Sequence, residues 1–350
     1  MNRQWQPKVS LVVVCRNEER TIEATLDSLW SQDYPAELVE VLIVDGMSTD
    51  RTREVINRVC RERARCRVRL LDNPLRIAPA GLNTGISAAS GEVVFVMGAH
   101  ARYSSNYISG AVDALARFGA DAVGGAVLTV AGATTPLARA IARALGSRFG
   151  VGNSLMRVGV PEACEADTAA YAGYRQTVFQ RVGLFDPRLV RNQDIEFNLR
   201  MRRAGMKIVV EPAIQSLYLA RTTLSGLMRN AFDNGFWVVH GAQFSHRPFA
   251  LRHLVPLGFV ASLVVSGIAA AFVPGAGLLL SALAGSYLAA DLFASLAGPK
   301  APVQVRLWLL LVYPALHFSY GLGSIWAGLR WLAAFRLWPR AGRAVARSSS

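Results

Sequence analysis

Residues 8–46 read "KVSLVVVCRNEERTIEATLDSLWSQDYPAELVEVLIVDG". Two continuous runs rich in β-branched residues, "KVSLVVVC" and "VEVLIVDG", flank "ERTIEATLDSLWSQ", whose apolar residues recur at helical spacing. A strand without polar alternation is buried on both faces, which is the habit of parallel sheets covered by helices. The pattern continues. "DRTREVINRVCRER" reads as a helix, "CRVRLLDN" as a strand, "GLNTGISAAS" as a small-residue helix and "EVVFVMG" as a further strand. Repeated strand and helix make an α/β domain with a Rossmann-like parallel sheet, in which ligands sit beyond the carboxyl ends of the strands. Three polar segments fall there: Arg16 to Glu19, Asp45 to Asp50, and Gly98 to Tyr103.

The C-terminal third has a different character. Apolar residues make up 52% of the 350-residue chain and mean hydropathy is +0.28, which favours partial membrane residence. No Lys, Arg, Asp or Glu occurs from His253 to Ala290, nor from Leu307 to Leu329. The first run far exceeds the roughly 20 residues of one spanning helix. It predicts two spans, Leu254–Phe272 and Leu278–Ala297, joined by the turn "VPGAG", with Asp291 facing protein. The second run contains Pro314, His317 and several glycines. A third span would also send the arginines of the tail outward, against the positive-inside bias, so a broken or re-entrant element is expected. Four regions follow: a domain over 1–220, an interfacial amphipathic segment over 221–250, a membrane region over 251–335 and a basic tail over 336–350.

The opening "MNRQWQPKVSLVVVCRNEE" reads as a buried strand, not an export signal. The domain is therefore expected on the cytoplasmic face of the inner membrane of a multi-pass protein. Cys15, Cys60, Cys66 and Cys164 match no zinc or redox spacing and are expected to be free thiols. The net charge is +14, and residues 248–350 carry eight basic groups against one acidic. Basic residues crowded beside apolar runs point to anionic lipid head groups as a partner. Nucleic acid is not expected, because the basic residues are not interleaved with aromatics and no nucleic-acid motif appears.

Glu18 and Asp45 stand at the mouths of two adjacent strands, where carboxylates accept hydrogen bonds from the NH and hydroxyl groups of a nucleoside; the plainer alternative is that both cap helices. "VSLVVVCRNEE", "EVLIVDGMSTDRT", "NPLRIAPAGLNTGISAASGEVVFVMGAH", "DTAAYAGYRQTVFQRVGLFD" and "RNQDIEFNLRMRRAG" occur in the order and spacing of the family 2 glycosyltransferases. Over about residues 8–215 the chain resembles the membrane-attached enzymes of succinoglycan-type exopolysaccharide synthesis. The resemblance implies a GT-A fold, a nucleotide-sugar donor with a UDP-sugar as first expectation, a polyprenyl-linked acceptor, a divalent cation (Mn or Mg) and inversion at the anomeric carbon.

By that resemblance Glu18 and Asp45 hold the nucleoside, Arg76 lies against the diphosphate or base, and Asn83 braces the donor loop. Asp194 matches the general base, which the chemistry needs because a sugar hydroxyl is a poor nucleophile until a carboxylate takes its proton. Its alternative is a helix cap. Gln193 stands where the family usually has Glu. Asp167, Tyr174 and Arg175 fall where relatives line the acceptor groove, with a surface-paired Arg175 equally open. In such relatives residues 98–100 tend to read Asp-Ala-His, so Ala99 and His100 are in pattern and Gly98 departs. His100 is the expected metal ligand, weakened by the missing carboxylate, or else a loop histidine bonded to backbone. The function expected is extension of a lipid-linked oligosaccharide in exopolysaccharide or envelope-glycan synthesis. The alternatives are a polyprenyl-phosphate sugar synthase and a non-catalytic scaffold of a polysaccharide assembly complex.

Overall fold

The structure is a computed structural model that describes residues 5–244, 250–297 and 301–345, with side chains described as far as residue 333. The chain divides into two compact units: residues 1–132 with 145–220, and residues 133–144 with 221–350.

The first unit is built on a nine-stranded sheet. Its strands are β1 (Val9–Cys15), β2 (Val39–Asp45), β3 (Arg67–Asp72), β4 (Val93–Gly98), β5 (Ala101–Tyr103), β6 (Ala122–Ala131), β7 (Cys164–Glu165), β8 (Gly173–Arg175) and β9 (Ile208–Ala220). The spatial order is β3-β2-β1-β4-β8-β6-β9-β5, with β7 also pairing β9. β1 pairs in parallel with both β2 and β4, so Cys15 stands opposite Asp45 and Val14 opposite Gly98. That register brings the ends of three strands to one edge, with Asp45 closing β2 and Glu18 and His100 just beyond β1 and β4.

The helices of this unit are α1 (Ile22–Trp30), α2 (Thr52–Arg63), α3 (Ala78–Ala88), α4 (Tyr107–Arg117), the short turns α6 (Arg148–Val151) and α7 (Leu155–Val158), α8 (Gln176–Val182) and α9 (Gln193–Arg203); α5 (Pro136–Leu145) intervenes in sequence. One core face buries Leu11, Val13 and Ile43 with Ile22 and Leu26 of α1, Ile56 of α2 and Tyr107 of α4. The opposite face buries Val12, Leu42 and Val44 with Leu82 and Ile86 of α3 and Phe197 of α9. Successive residues of β1 thus enter opposite cores, the physical reason for its unbroken apolar run. Each fully buried side chain of this size contributes about 1.5–3 kcal/mol. The small residues of α3 also have a cause: a Cβ on Gly85 would lie 2.3 Å from Val12 Cγ1, so the helix lies directly on the sheet.

The second unit adds α10 (Leu224–Gly241), α11 (Val255–Ala269), α12 (Ala276–Ala297) and α13 (Val303–Val345). Among the described residues three segments are long and apolar enough to cross a membrane: Leu251–Ala269, Ala276–Ala297 and Val303–Ala333. The expected broken third element is corrected here. α13 runs continuously through Pro314 and His317, which a membrane-length helix tolerates where neighbouring groups re-satisfy the freed carbonyl. Asp291 is 2% exposed and accepts from the Ser295 hydroxyl at 3.3 Å. Residues 336–345 of the expected tail continue the helix; Arg347 and residues 245–249 of the expected interfacial segment lie outside the described residues. All four cysteines are free thiols.

Candidate active site

The carboxyl edge of the sheet is held in unusual backbone. Among the described residues five non-glycine residues have positive φ: Asn17 after β1, Met47 after β2, Arg76 after β3, Tyr171 before β8 and Asn192 before α9. Such conformations cost of the order of 1–3 kcal/mol each and persist only where the surroundings over-determine them, a habit of functional loops. Asn17 shows how. Its amide donates to Ser48 Oγ at 2.9 Å while its side-chain oxygen accepts from the Thr49 amide at 2.9 Å, tying the loop after β1 to the loop after β2.

Glu18 and His100 meet across 82 residues, with His100 Nδ1 3.3 Å from Glu18 Oε1. Thr21 Oγ1 donates to the other carboxylate oxygen at 2.6 Å. Below them Thr25 Oγ1 donates to the carbonyls of Ala99 and Ala101, fixing the loop that carries His100. The His100 ring lies edge-on to Tyr218, centroids 6.2 Å apart.

Asp45, the last residue of β2, is buried among its own loop. Its side chain is 0% exposed, and its oxygens accept from the Ser48 hydroxyl at 2.5 Å, the Ser48 amide at 3.1 Å and Arg53 Nη1 at 2.9 Å. It anchors the loop after β2, and a nucleoside would reach it only by displacing one of these groups. Arg53 Nη1 also pairs with Asp72 at 2.7 Å, and Asp72, 57% exposed, is the carboxylate that faces outward from this part of the edge. Its position as the last residue of a third parallel strand was the signal by which the sequence could have nominated it.

Asp194 lies in the first turn of α9, with left-handed Asn192 at the cap position, so it is not the helix cap. Burial raises the Asp194 pKa above the ordinary carboxylate value, while backbone NH groups of Ile195 and Asp194 and the charge of Arg157 pull it back. Arg157, on α7, lies over the Tyr218 ring at 5.1 Å. Tyr171 is electrostatically coupled to the same residues: burial pushes its phenol up to about 12, with Arg157 opposing and Tyr218 and Asp194 adding. Asp194, Arg157, Tyr171, Tyr218 and His100 therefore form one constellation. Sequence reasoning missed its three middle members, because they come from a Gly- and Ala-rich excursion, a loop and the last strand, with no local motif.

The three residues expected on the acceptor side lie in different surroundings. Tyr174 is 2% exposed and packs edge-on against Phe197 at 5.5 Å; it belongs to the core because β8 is an inserted interior strand. Arg175 pairs in register with Val93, at the amino end of β4 and away from the site. There it donates to the carbonyls of Ala120 and Leu115, both at 2.9 Å, and lies over Trp5. Asp167 is half-buried and engaged with neighbours; adjacent Thr168 accepts from Asn198 of α9 at 2.7 Å. Asn83 does brace a loop, but a different one: its amide exchanges two hydrogen bonds with the backbone of Phe185, in the segment leading to α9. Arg76 is exposed on the turn after β3.

A Cβ on Gly98 would lie 2.7 Å from Tyr171 Cε1, so the missing carboxylate has been replaced by a ring in the same space. Among the described residues no group of three His, Cys, Asp or Glu side chains could hold a cation. His100, with Glu18 behind it, suits an ion held mainly by a ligand's own phosphate oxygens.

With this geometry in view, residues 10–183 match the family described as Glycosyl transferase family 2. The chain is 32% identical over 251 residues to the succinoglycan biosynthesis protein ExoA of Rhizobium meliloti, covering 71% of this chain and 74% of that protein. It is 26% identical over 269 residues to the dolichyl N-acetyl-alpha-D-glucosaminyl phosphate 3-beta-D-2,3-diacetamido-2,3-dideoxy-beta-D-glucuronosyltransferase of Methanococcus voltae, covering 74% and 82%. Among solved structures it is similar in fold to the mannosyltransferase PcManGT from Pyrobaculum calidifontis in complex with GDP-Man and Mn2+, with a TM-score of 0.61, 20% identity and coverage of 92% and 88%. Matched at the strand ends, in the GT-A sheet and over most of the length of a relative, the chain belongs to glycosyl transferase family 2 and is a glycosyltransferase.

Proposed function

We propose that this glycosyltransferase moves a sugar, with inversion, from a nucleoside-diphosphate sugar to a lipid-linked acceptor in exopolysaccharide or envelope-glycan synthesis. The observation that carries the reading is Asp194: a carboxylate with a raised pKa, beside Arg157, in a constellation that ends at His100. A base poised nearer neutrality than an ordinary Asp is suited to proton abstraction from a hydroxyl.

In the transfer, the acceptor hydroxyl oxygen attacks the anomeric carbon as its proton passes to Asp194. The bond from that carbon to the donor's diphosphate breaks, the electron pair leaves with the nucleotide, and attack opposite the leaving group inverts the centre. Arg157 limits how far the Asp194 pKa rises, and Tyr171 and Tyr218 wall the space. Asp72 and Arg76 are the polar groups exposed at the nucleoside end, and Glu18, which accepts from Thr21 and faces His100, would take part by exchanging one of those contacts. A divalent cation, when bound, would neutralise the departing diphosphate, and His100 with Glu18 are the residues that would hold it.

The acceptor class is supported by the names of the two relatives, one a dolichyl phosphate-linked sugar transferase and one a succinoglycan protein, and by the three apolar helices. A UDP-sugar donor, contact with anionic lipids and residence in the inner membrane with the catalytic unit cytoplasmic belong to the same proposal. The scaffold alternative loses its motive at Gly98, where Tyr171 explains the departure. Purified protein incubated with a panel of nucleotide sugars and polyprenyl-phosphate or polyprenyl-diphosphate-sugar lipids should release nucleoside diphosphate and extend the lipid-linked sugar. Transfer to the bare polyprenyl phosphate alone would instead identify a polyprenyl-phosphate sugar synthase.

A further inference from the structure

Beside His100 lies a groove whose wall includes Arg20 and Thr21, at the start of α1, Arg102 of β5, and Leu217 and Leu219 of β9. Strand register explains its apolar wall. Arg102 pairs with Leu217, Leu217 with Leu128 and Leu219 with Val130, so these side chains share one sheet face. Their alternates point the other way and are buried: Ser216 is 0% exposed and Val127 2%, while Leu128, Leu217 and Leu219 are 42%, 38% and 42% exposed. Exposed leucines side by side on adjacent strands form a contiguous patch, which marks an interaction surface better than scattered single ones do.

The charge beside this patch is uncompensated. Arg20 and Arg102 are exposed, and among the described residues neither has a carboxylate in ion-pair contact. Glu18, the nearby acid, is occupied by Thr21 and His100. Two guanidinium groups without carboxylate partners favour phosphate, which they bind through several charge-assisted hydrogen bonds. A nucleoside has no use for a leucine row, and a free phosphate has none either. An amphiphile with a phosphate head and a hydrocarbon chain uses both. The strand carrying Leu217 and Leu219 ends at Ala220, after which the chain enters the unit that bears the apolar helices.

We propose that this groove is the docking site of the lipid-linked acceptor, with its phosphate head on Arg20 and Arg102 and the first isoprene units on Leu217, Leu219 and Leu128. The inference rests on the reading that the acceptor is lipid-linked. It places the lipid head beside His100.

The test uses the full chain in nanodiscs and a photoreactive benzophenone analogue of farnesyl diphosphate as probe. Labelling should fall on the segments around residues 20–25, 100–103 and 217–219, and farnesyl diphosphate should compete. Inorganic diphosphate, without the chain, and farnesol, without the head, should each compete at least about tenfold less well, a loss equivalent to about 1.4 kcal/mol. Arg102→Ala and Arg20→Ala, both surface changes, should abolish labelling and raise KM for a polyprenyl-linked acceptor about tenfold without moving donor KM or nucleotide binding. Labelling elsewhere, or unchanged acceptor KM in both variants, overturns the site. Competition by phosphatidylglycerol as strong as by farnesyl diphosphate would make the groove a bulk-membrane contact and equally overturn it. If the wild-type protein extends no lipid at all, the functional reading fails, while labelling and its loss in Arg102→Ala still decide the groove.

Discussion

Tyr171 Cε1 stands 2.7 Å from where a side chain on Gly98 would begin. The ring and the missing carboxylate are one feature, because no side chain at position 98 fits while Tyr171 keeps its place. Tyr171 is held by left-handed backbone and an edge-on contact with Tyr103 at 5.6 Å.

Restoring the family's acid at this position should therefore fail on its own. Gly98→Asp is expected to lower thermal stability by the roughly 1–3 kcal/mol typical of overpacking and to lower activity with it. Adding Tyr171→Ala should recover stability and, with the acid now accommodated, lower the Mn2+ concentration needed for half-maximal rate. A stable, fully active Gly98→Asp single variant would show that the ring moves freely and that the contact has no consequence.

The acid limb of the pH–rate profile should report Asp194. The base works deprotonated, and burial raises its pKa, so activity should fall as pH drops through a value above that of an ordinary aspartate. Arg157 lowers that pKa. Arg157→Gln removes the opposing charge, so the acid limb should move to higher pH. A limb that stayed in place or moved downward would separate Arg157 from the base.

Arg53 joins the buried Asp45 to the exposed Asp72. Arg53→Ala leaves a buried acceptor without its charged partner, a change that costs roughly 1–3 kcal/mol. It should loosen the loop after β2, raising donor KM more than it lowers kcat. Calorimetric titration with nucleoside diphosphate checks this directly; unaltered affinity would detach the pair from the donor end.

Cys15 lies 3.9 Å from Asp45 under the same loop, and burial with the neighbouring negative charge pushes its thiol up to about 12. It should resist alkylation at pH 8 in the folded protein, since the thiolate is the reactive form. Rapid modification of Cys15 would indicate that the loop opens.

Local pattern made the strand ends legible. β1, β2 and β4 are continuous apolar runs whose termination in polar residues can be read directly, which located Glu18, Asp45 and His100. The helix that carries Asp194 was legible from its amphipathic repeat and Gly205 stop, whereas Asp194 itself was singled out by the family resemblance of "RNQDIEF". What failed was long-range placement. Tyr174 and Arg175 sit in a three-residue strand inserted between β4 and β6, and nothing in "AGYRQ" shows that one enters a core and the other turns to the far edge. Arg157 and Tyr218 reach the site from segments 61 residues apart in number, joined by a cation–π contact and by the hydrogen bond of Arg157 to Thr129, the register partner of Tyr218. Pro314 misled in the opposite direction, since a proline weakens a helix in isolation but not one supported along its length.

The proposed transfer depends on Asp194 as its base. Asp194→Asn keeps the shape of the side chain and removes the proton acceptor, so single-turnover transfer from a nucleotide sugar to the lipid-linked acceptor measures it most directly. The rate should fall by about 100-fold or more, with donor affinity unchanged. Transfer at near wild-type rate by the Asp194→Asn protein would contradict the assignment.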